Sequence, residues 1–253
     1  MAEQSVGAGT SPDCTDDPGG DCRCSHLAYI PVVYMKTDKR LGTGAFSVWI
    51  YRVNRDKMMK SRKRGTSMYE SLGQVREEAL CCRKCALADT RKHVVFGEGD
   101  LHAKLMFIGE GPGATEDETG RPFVGPAGQL LDKMLAAIDL RRDQVYIANI
   151  VKCRPPGNAD PRPEYAEQCI GYLREQVRFI HPKVIVLLGR IAVQNLLKIQ
   201  SGIGRIHGQV FERKGFLFVP TYHPSALLRA PELKRAAWED FKTIRRLLEE
   251  TDA

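Results

Sequence analysis

Eight cysteines stand in this chain of 253 residues, and four have a spacing that chemistry can use. Cys82 and Cys85 are separated by two residues, close enough for two thiolates to meet one metal centre. Cys153 lies just ahead of a double proline, and Cys169 follows one helix later. Both also read as small apolar core side chains, a common place for a free thiol. Spacing alone leaves zinc and iron–sulfur chemistry equally open. Cys81, next to the pair, points elsewhere on a helix and reads as a spare thiol. A second group consists of polar residues standing just past apolar runs: Glu110, Asn149 and His223, with Phe123 between the first two. Taken singly, each has an ordinary reading: Glu110 as a helix cap, Asn149 as a turn residue, His223 as a satisfied buried imidazole, Phe123 as core.

The elements that must position these residues alternate between strand and helix. Leu105-Met106-Phe107-Ile108 reads as a buried strand, followed by the glycine turn Gly109-Glu110-Gly111-Pro112-Gly113 and an acidic loop to Phe123. From Gly125 the apolar residues Leu130, Leu131, Met134, Leu135 and Ile138 recur at helical spacing. Val145 to Asn149 is a second strand, Val184 to Leu188 a third and Phe216 to Val219 a fourth. Helices are expected over about 163–179, from Gly189 to Lys198, and over about 232–249, with another helical pattern from Tyr69 to Cys82. Strands apolar on both faces and alternating with helices imply a three-layer α/β/α sandwich around a central four-stranded, mainly parallel sheet. Such a sheet brings its strand ends to one edge, so Glu110, Asn149 and His223 converge, where ligands of α/β folds sit.

Convergence gives Asn149 a sharper reading. A carboxamide offers a donor and an acceptor side by side. Uracil presents an N3–H donor beside the O4 acceptor, whereas cytosine inverts that pattern. The formal net charge of +7 suits a polyanionic partner without requiring one. No run of about 18 apolar residues is present, so no membrane span is expected. The N-terminus has neither the basic start nor the apolar core of a secretion signal. A reducing intracellular compartment follows, where cysteines bind metal more readily than they form disulfides. Residues 1–25 are too polar to bury a core and read as disordered. Residues 27–53 have the apolar content of two strands, and the basic run from Arg55 to Arg64 reads as a solvated linker. We therefore expect an N-terminal extension over 1–67 and a working domain over 68–253.

From Cys82 to Arg229 the chain resembles the family 4 uracil-DNA glycosylases, the iron–sulfur branch of their superfamily. The resemblance is carried by GEGPG at 109–113, TGRPFVGPAGQLL at 119–131, NIVKCRPPGN at 149–158 and TYHPSALLR at 221–229. It implies a repair enzyme that flips uracil out of single- or double-stranded DNA and hydrolyses its glycosidic bond. Cys82, Cys85, Cys153 and Cys169 match the ligands of a structural 4Fe–4S cluster. Phe123 matches the aromatic that stacks on uracil, Asn149 the base-reading amide, His223 the histidine facing O2, and Glu110 the acidic residue of the first motif. Gly111 belongs to the turn whose backbone approaches the base, and Glu116 aligns with a pocket glutamate that would wall the C5 side. Ser225, Leu227, Leu228 and Arg229 would meet the DNA, the leucines and arginine as a wedge. No lysine stands at a site position, so an enzyme without lyase activity is expected, acting as a monomer in the cytoplasm and away from membranes. The alternative is a binder of the same superfamily that traps uracil covalently, for which Gly204-Arg205-Ile206-His207 is a faint match placed before the fourth strand. A phosphate cradle at GEGPG lacks the Gly-Lys-Ser/Thr ending of a P-loop. A zinc-dependent DNA-binding module is the remaining rival.

Overall fold

The computed structural model describes residues 32–37, 46–51 and 69–252. The chain divides between Thr66 and Ser67 into two units. In the first, β1 (Val32–Thr37) pairs antiparallel with β2 (Phe46–Tyr51), the two strands expected in that stretch. The expectations for residues 1–25 and for the basic run at 55–64 lie outside the described residues.

The second unit contains α1 (Leu72–Leu80), α2 (Leu87–Thr90), β3 (Glu98–Gly99), β4 (Leu105–Gly109), α3 (Ala114–Thr119), α4 (Pro126–Ala136) and β5 (Tyr146–Asn149). It continues with α5 (Pro163–Ile180), β6 (Val184–Leu188), α6 (Arg190–Leu196), α7 (Ile203–Ile206), β7 (Phe211–Arg213), β8 (Phe216–Thr221), α8 (Pro224–Arg229) and α9 (Lys234–Asp252). The sheet order is β3-β5-β4-β6-β8-β7. Its centre, β5-β4-β6-β8, is parallel, as the apolar runs predict. Two short antiparallel edges enlarge the expected four strands to six, β3 against β5 and β7 against β8. With two and three residues, neither edge is long enough to display a period of two.

Every residue of β4, β5 and β6 is buried, and their side chains alternate between two cores. Met106, Ile108, Tyr146, Ala148, Ile185 and Leu187 face Leu173 of α5 and Ala192 and Val193 of α6. Leu105, Phe107, Ile147, Val184, Val186 and Leu188 face Leu131 and Leu135 of α4 and Phe241 and Ile244 of α9. Helices thus cover both faces, giving the α/β/α sandwich. Helix α3 corrects one expectation, since the acidic stretch before Phe123 is not all loop. Its sequence ATEDET carries no apolar stripe, so hydrophobic periodicity could not announce it.

Helix α9 is fixed to the sheet by a polar lock as well as by its apolar face. Asp240, 2% exposed, accepts a 2.6 Å bond from the Thr221 hydroxyl at the end of β8 and lies 2.9 Å from His207 Nδ1. Replacing Asp240 with alanine strands the Thr221 hydroxyl in the interior. Urea denaturation should show a loss of about 1–3 kcal/mol, the usual cost of an orphaned buried polar group.

Candidate functional site

The parallel register sets Gly109, the last residue of β4, opposite Asn149, the last residue of β5. Pairing runs one step beyond each strand, with Ile150 N–H donating to Gly109 O and Val151 N–H to Glu110 O. Asn149 is therefore held by its backbone, and its side chain is 1% exposed. Both its Nδ2 and its Oδ1 are buried without a hydrogen-bond partner. Such an atom costs about 1–3 kcal/mol when left unpaired, so two on one side chain mark a place where a partner is missing. Gly109 explains why the amide is not walled in. A Cβ there would come within 2.5 Å of Asn149 Oδ1 and 2.6 Å of Phe123 Cζ, so only glycine leaves room between amide and ring. Gly111 has a plainer reason, since its Cβ would press on Val151 Cγ2 at 2.8 Å.

Phe123 is 5% exposed and sits at φ 50°, a left-handed conformation that costs a phenylalanine on the order of 1–3 kcal/mol. Three clamps hold it there. Arg142 donates through Nη1 to Phe123 O at 2.9 Å and through Nη2 to Pro122 O. Arg121 meets Glu98 of β3 through two bonds of 2.8 and 2.7 Å. Glu116 supplies the third. Its Oε1 accepts the N–H groups of Val124 at 2.9 Å and Gly125 at 2.8 Å, and its Oε2 accepts that of Gly113 at 3.1 Å. The carboxylate ties the glycine turn to the Phe123 loop, a role that a sequence match to a pocket glutamate does not convey.

His223 caps the N-terminus of α8, and its ring lies 5.5 Å from that of Phe123. Gly189 permits this approach, because at φ 85° a residue with a Cβ would be strained and the atom would lie 3.0 Å from His223 Cβ. Ser225 N–H donates to His223 Nδ1 at 3.2 Å, and the Ser225 hydroxyl lies 2.8 Å from the same nitrogen. Nδ1 is therefore the acceptor, and the neutral ring carries its proton on Nε2. Burial pushes the imidazole down to about 4, with Arg229 acting in the same direction and Glu116 opposing. The result is a neutral donor. Glu110 is driven the other way: burial raises its carboxyl to about 7, Asp160 adds to the rise, and Arg190 opposes it. Arg190 is itself paired with Asp160.

Asn149, Phe123, Gly109 and His223 thus adjoin one another at the carboxyl edge of the sheet. Of the expected wedge, Leu227 is 1% exposed and packs with Tyr222 and Ala237, while Leu228 is 45% exposed and Arg229 is also exposed. Ser225 is engaged with His223. Lys152, which sequence reading passed over, is fully buried, its ammonium donating to Asn149 O at 2.9 Å and Gln176 Oε1 at 2.6 Å. A charged residue inside a motif reads as solvent-facing, and nothing in the sequence signals otherwise.

The four cysteines gather at a second place. Cys82, Cys85, Cys153 and Cys169 line one small pocket that opens to solvent, together with Ala79, Ala88 and Tyr172. Exposed Cys81 is not among its lining residues. Arg91 Nη1 donates to Cys153 Sγ at 3.4 Å, and Lys152 N–H to Cys169 Sγ at 3.2 Å. Among the described residues no three potential ligands converge on a single-ion site. Four thiols around one pocket, with a guanidinium at Cys153 and an N–H donor at Cys169, have the donor chemistry of a thiolate-ligated metal or cluster.

Comparison with known proteins matches residues 96–242 to the family model of the Uracil DNA glycosylase superfamily. The chain is 46% identical over 183 residues to a type-4 uracil-DNA glycosylase of Archaeoglobus fulgidus, covering 69% of this chain and 92% of that one. It is 44% identical to the type-4 enzyme of Sulfurisphaera tokodaii, covering 70% and 85% of the two chains. Against that of Saccharolobus solfataricus it is 39% identical, covering 71% and 87%.

The Glu116 clamp can be tested without reference to any reaction. Glu116→Gln keeps the shape but turns one accepting oxygen into a donor that faces an N–H group. Thermal denaturation should register a loss of about 1–3 kcal/mol, and limited proteolysis should become faster at residues 121–125.

Proposed function

Because the chain belongs to the Uracil DNA glycosylase superfamily, we propose that its buried, unpaired Asn149 amide reads uracil extruded from DNA. The protein is an enzyme of DNA repair, a uracil-DNA glycosylase. The observation that carries the site assignment is the pair of orphaned amide atoms beside the space that Gly109 leaves open. Uracil would offer its N3–H to Oδ1 and its O4 to Nδ2, while Phe123 supplies a stacking face.

The target base cannot be reached inside a duplex, so the nucleotide must leave the stack. Leu228 and Arg229 on α8 would occupy the gap, a role their exposure supports, with Leu227 anchoring them from the core. Cleavage places negative charge on the departing uracil and oxocarbenium character on the sugar. The neutral Nε2–H of His223 stabilises the charge on O2, a fixed dipole acting in a desolvated site. Glu110 orients and deprotonates the water that attacks the sugar, and Gly111 lets the turn backbone come close to the base. Glu116 holds both loops in position.

Cys82, Cys85, Cys153 and Cys169 would hold a 4Fe–4S cluster, whose contribution when bound is to cross-link the end of α1, the loop after β5 and α5. We assign the glycosylase to residues 68–253 and expect it to act as a monomer on single- and double-stranded DNA inside the cell. Among the described residues no helix is long and apolar enough to cross a membrane. The buried Lys152 amine is occupied by Asn149 O and Gln176, which supports hydrolysis without a Schiff base. Against the covalent binder, His207 has its Nδ1 on Asp240 and its ring 4.8 Å from that of Tyr222.

Two measurements test this reading. On single- and double-stranded oligonucleotides, Asn149→Asp should lose at least about tenfold in uracil excision and gain activity on cytosine, because a buried, protonated carboxyl can donate to N3 and accept from N4. Unchanged base selectivity would remove Asn149 from base reading. The second measurement is the pH profile. Glu110 holds its proton below about 7, so its base form, and with it kcat/KM, should rise with pH and level off above that value. Asp160→Asn removes the repulsion and should move the midpoint lower, while Glu110→Gln should flatten the profile. His223, neutral above about 4, adds no inflection in this range.

A further inference from the structure

Lys152 is an anomaly for its environment. It is 1% exposed, yet among the described residues no carboxylate pairs with it; it lines the four-cysteine pocket, directly precedes Cys153, and its N–H donates to Cys169 Sγ. A buried ammonium without a counter-charge is costly even after the surroundings relax. Its surroundings are built to hold it in one pose. Nζ donates to Asn149 O at 2.9 Å and to Gln176 Oε1 at 2.6 Å, and lies 5.8 Å from the centre of the Phe96 ring. Gln176, itself fully buried, is fixed by its own bonds from Nε2 to Phe96 O at 2.8 Å and to the Tyr146 hydroxyl at 3.1 Å. The Lys152 backbone is equally committed: its N–H donates to Cys169 Sγ at 3.2 Å, and its carbonyl accepts Val95 N–H at 2.8 Å.

One residue therefore touches both centres of the molecule. Its side chain grips the carbonyl of the residue whose amide is unpaired, and its backbone grips a thiol of the four-cysteine cavity. We propose that Lys152 couples the four-cysteine site to base reading, as a positioning residue that sets the pose of Asn149 and as the buried counter-charge of a thiolate-ligated cluster. This rests on the reading of both sites given above. The thiolates and their cluster supply the negative charge that makes a buried ammonium tolerable. The ammonium in turn fixes the turn that carries the amide. Base selectivity and cluster electrostatics then share one side chain.

The experiment uses the full chain, with Lys152→Met, Asn149→Ala and the double variant beside the wild type. Iron per chain, the midpoint potential of the visible chromophore and single-turnover excision of uracil from an oligonucleotide are measured on each. Lys152→Met should keep its iron, because all four thiols remain. Its potential should fall, since a cation that favours the reduced cluster is gone. Uracil excision should drop about tenfold to a hundredfold, as expected when a reading group shifts by a fraction of an ångström, and that loss should shrink to less than about twofold in the Asn149→Ala background. The same fold-loss with and without Asn149, or an iron-loaded Met variant with unaltered potential and excision, overturns the coupling. Lys152→Gln guards against a Met variant that does not fold. It keeps a donor for Asn149 O and removes the charge, so its potential should fall while most excision survives, and a wild-type potential in it overturns the counter-charge role. A wild type without iron would overturn the cluster reading and the coupling with it, whereas an iron-loaded wild type with indifferent Lys152 variants overturns the coupling alone.

Discussion

The site depends on holding a carboxamide in the protein interior with nothing to bind. Asn149 could relieve its two orphaned atoms by turning toward solvent or toward a neighbouring carbonyl, and the fold denies it both. Its backbone is locked in register with Gly109, its carbonyl is taken by Lys152, and its side chain faces a space that a methyl group at Gly109 would fill. Each restraint belongs to a different layer of structure: sheet pairing, a buried ammonium and a missing Cβ. The stability given up at the amide, about 1–3 kcal/mol per unpaired atom, is available to any ligand that offers a donor and an acceptor side by side. A surface amide, already satisfied by water, would gain far less on binding the same edge.

Desolvation sets the protonation states as well. It raises Glu110 toward 7 and lowers His223 toward 4, opposite directions with one cause, since burial favours the uncharged form of each group. The consequences for catalysis differ. A neutral imidazole can donate to a developing anion without first attracting a counter-ion to the empty site. A carboxyl that titrates near neutrality is a stronger base, once ionised, than one with an ordinary value. The Arg190–Asp160 pair moderates the second effect, because its two members act on Glu110 with opposite signs.

What could be read from the sequence follows the length of the signal. The runs LMFI, VIVLL and YIAN are continuous and largely apolar, so the parallel sheet was legible, and with it the edge at which Asn149, Gly109, Phe123 and His223 adjoin. The resemblance to a known family added the cysteine set, now found around one cavity. Features made by backbone were not legible. Glu116 acts on three N–H groups that no sequence pattern names, and Phe123 at φ 50° looks in sequence like any core aromatic. Strands β3 and β7 are too short for periodicity, yet β3 carries the Glu98 that anchors the Phe123 loop through Arg121. Leu227 and Leu228 are adjacent and chemically identical, and only the direction of α8 assigns one to the core and the other to solvent.

His223 makes the dependence of chemistry on local structure most explicit. As the residue that caps α8, it must accept the N–H of Ser225, and the acceptor it uses is Nδ1. A neutral imidazole has one proton to place, so accepting at Nδ1 puts it on Nε2. The capping bond thereby fixes the tautomer, and the tautomer decides that the ring donates rather than accepts. Pro224 at the first helical position reinforces this, because its fixed φ favours a helix starting there. The order His-Pro-Ser is therefore one device: proline starts the helix, serine supplies the N–H and hydroxyl, and histidine is left with a single proton at Nε2.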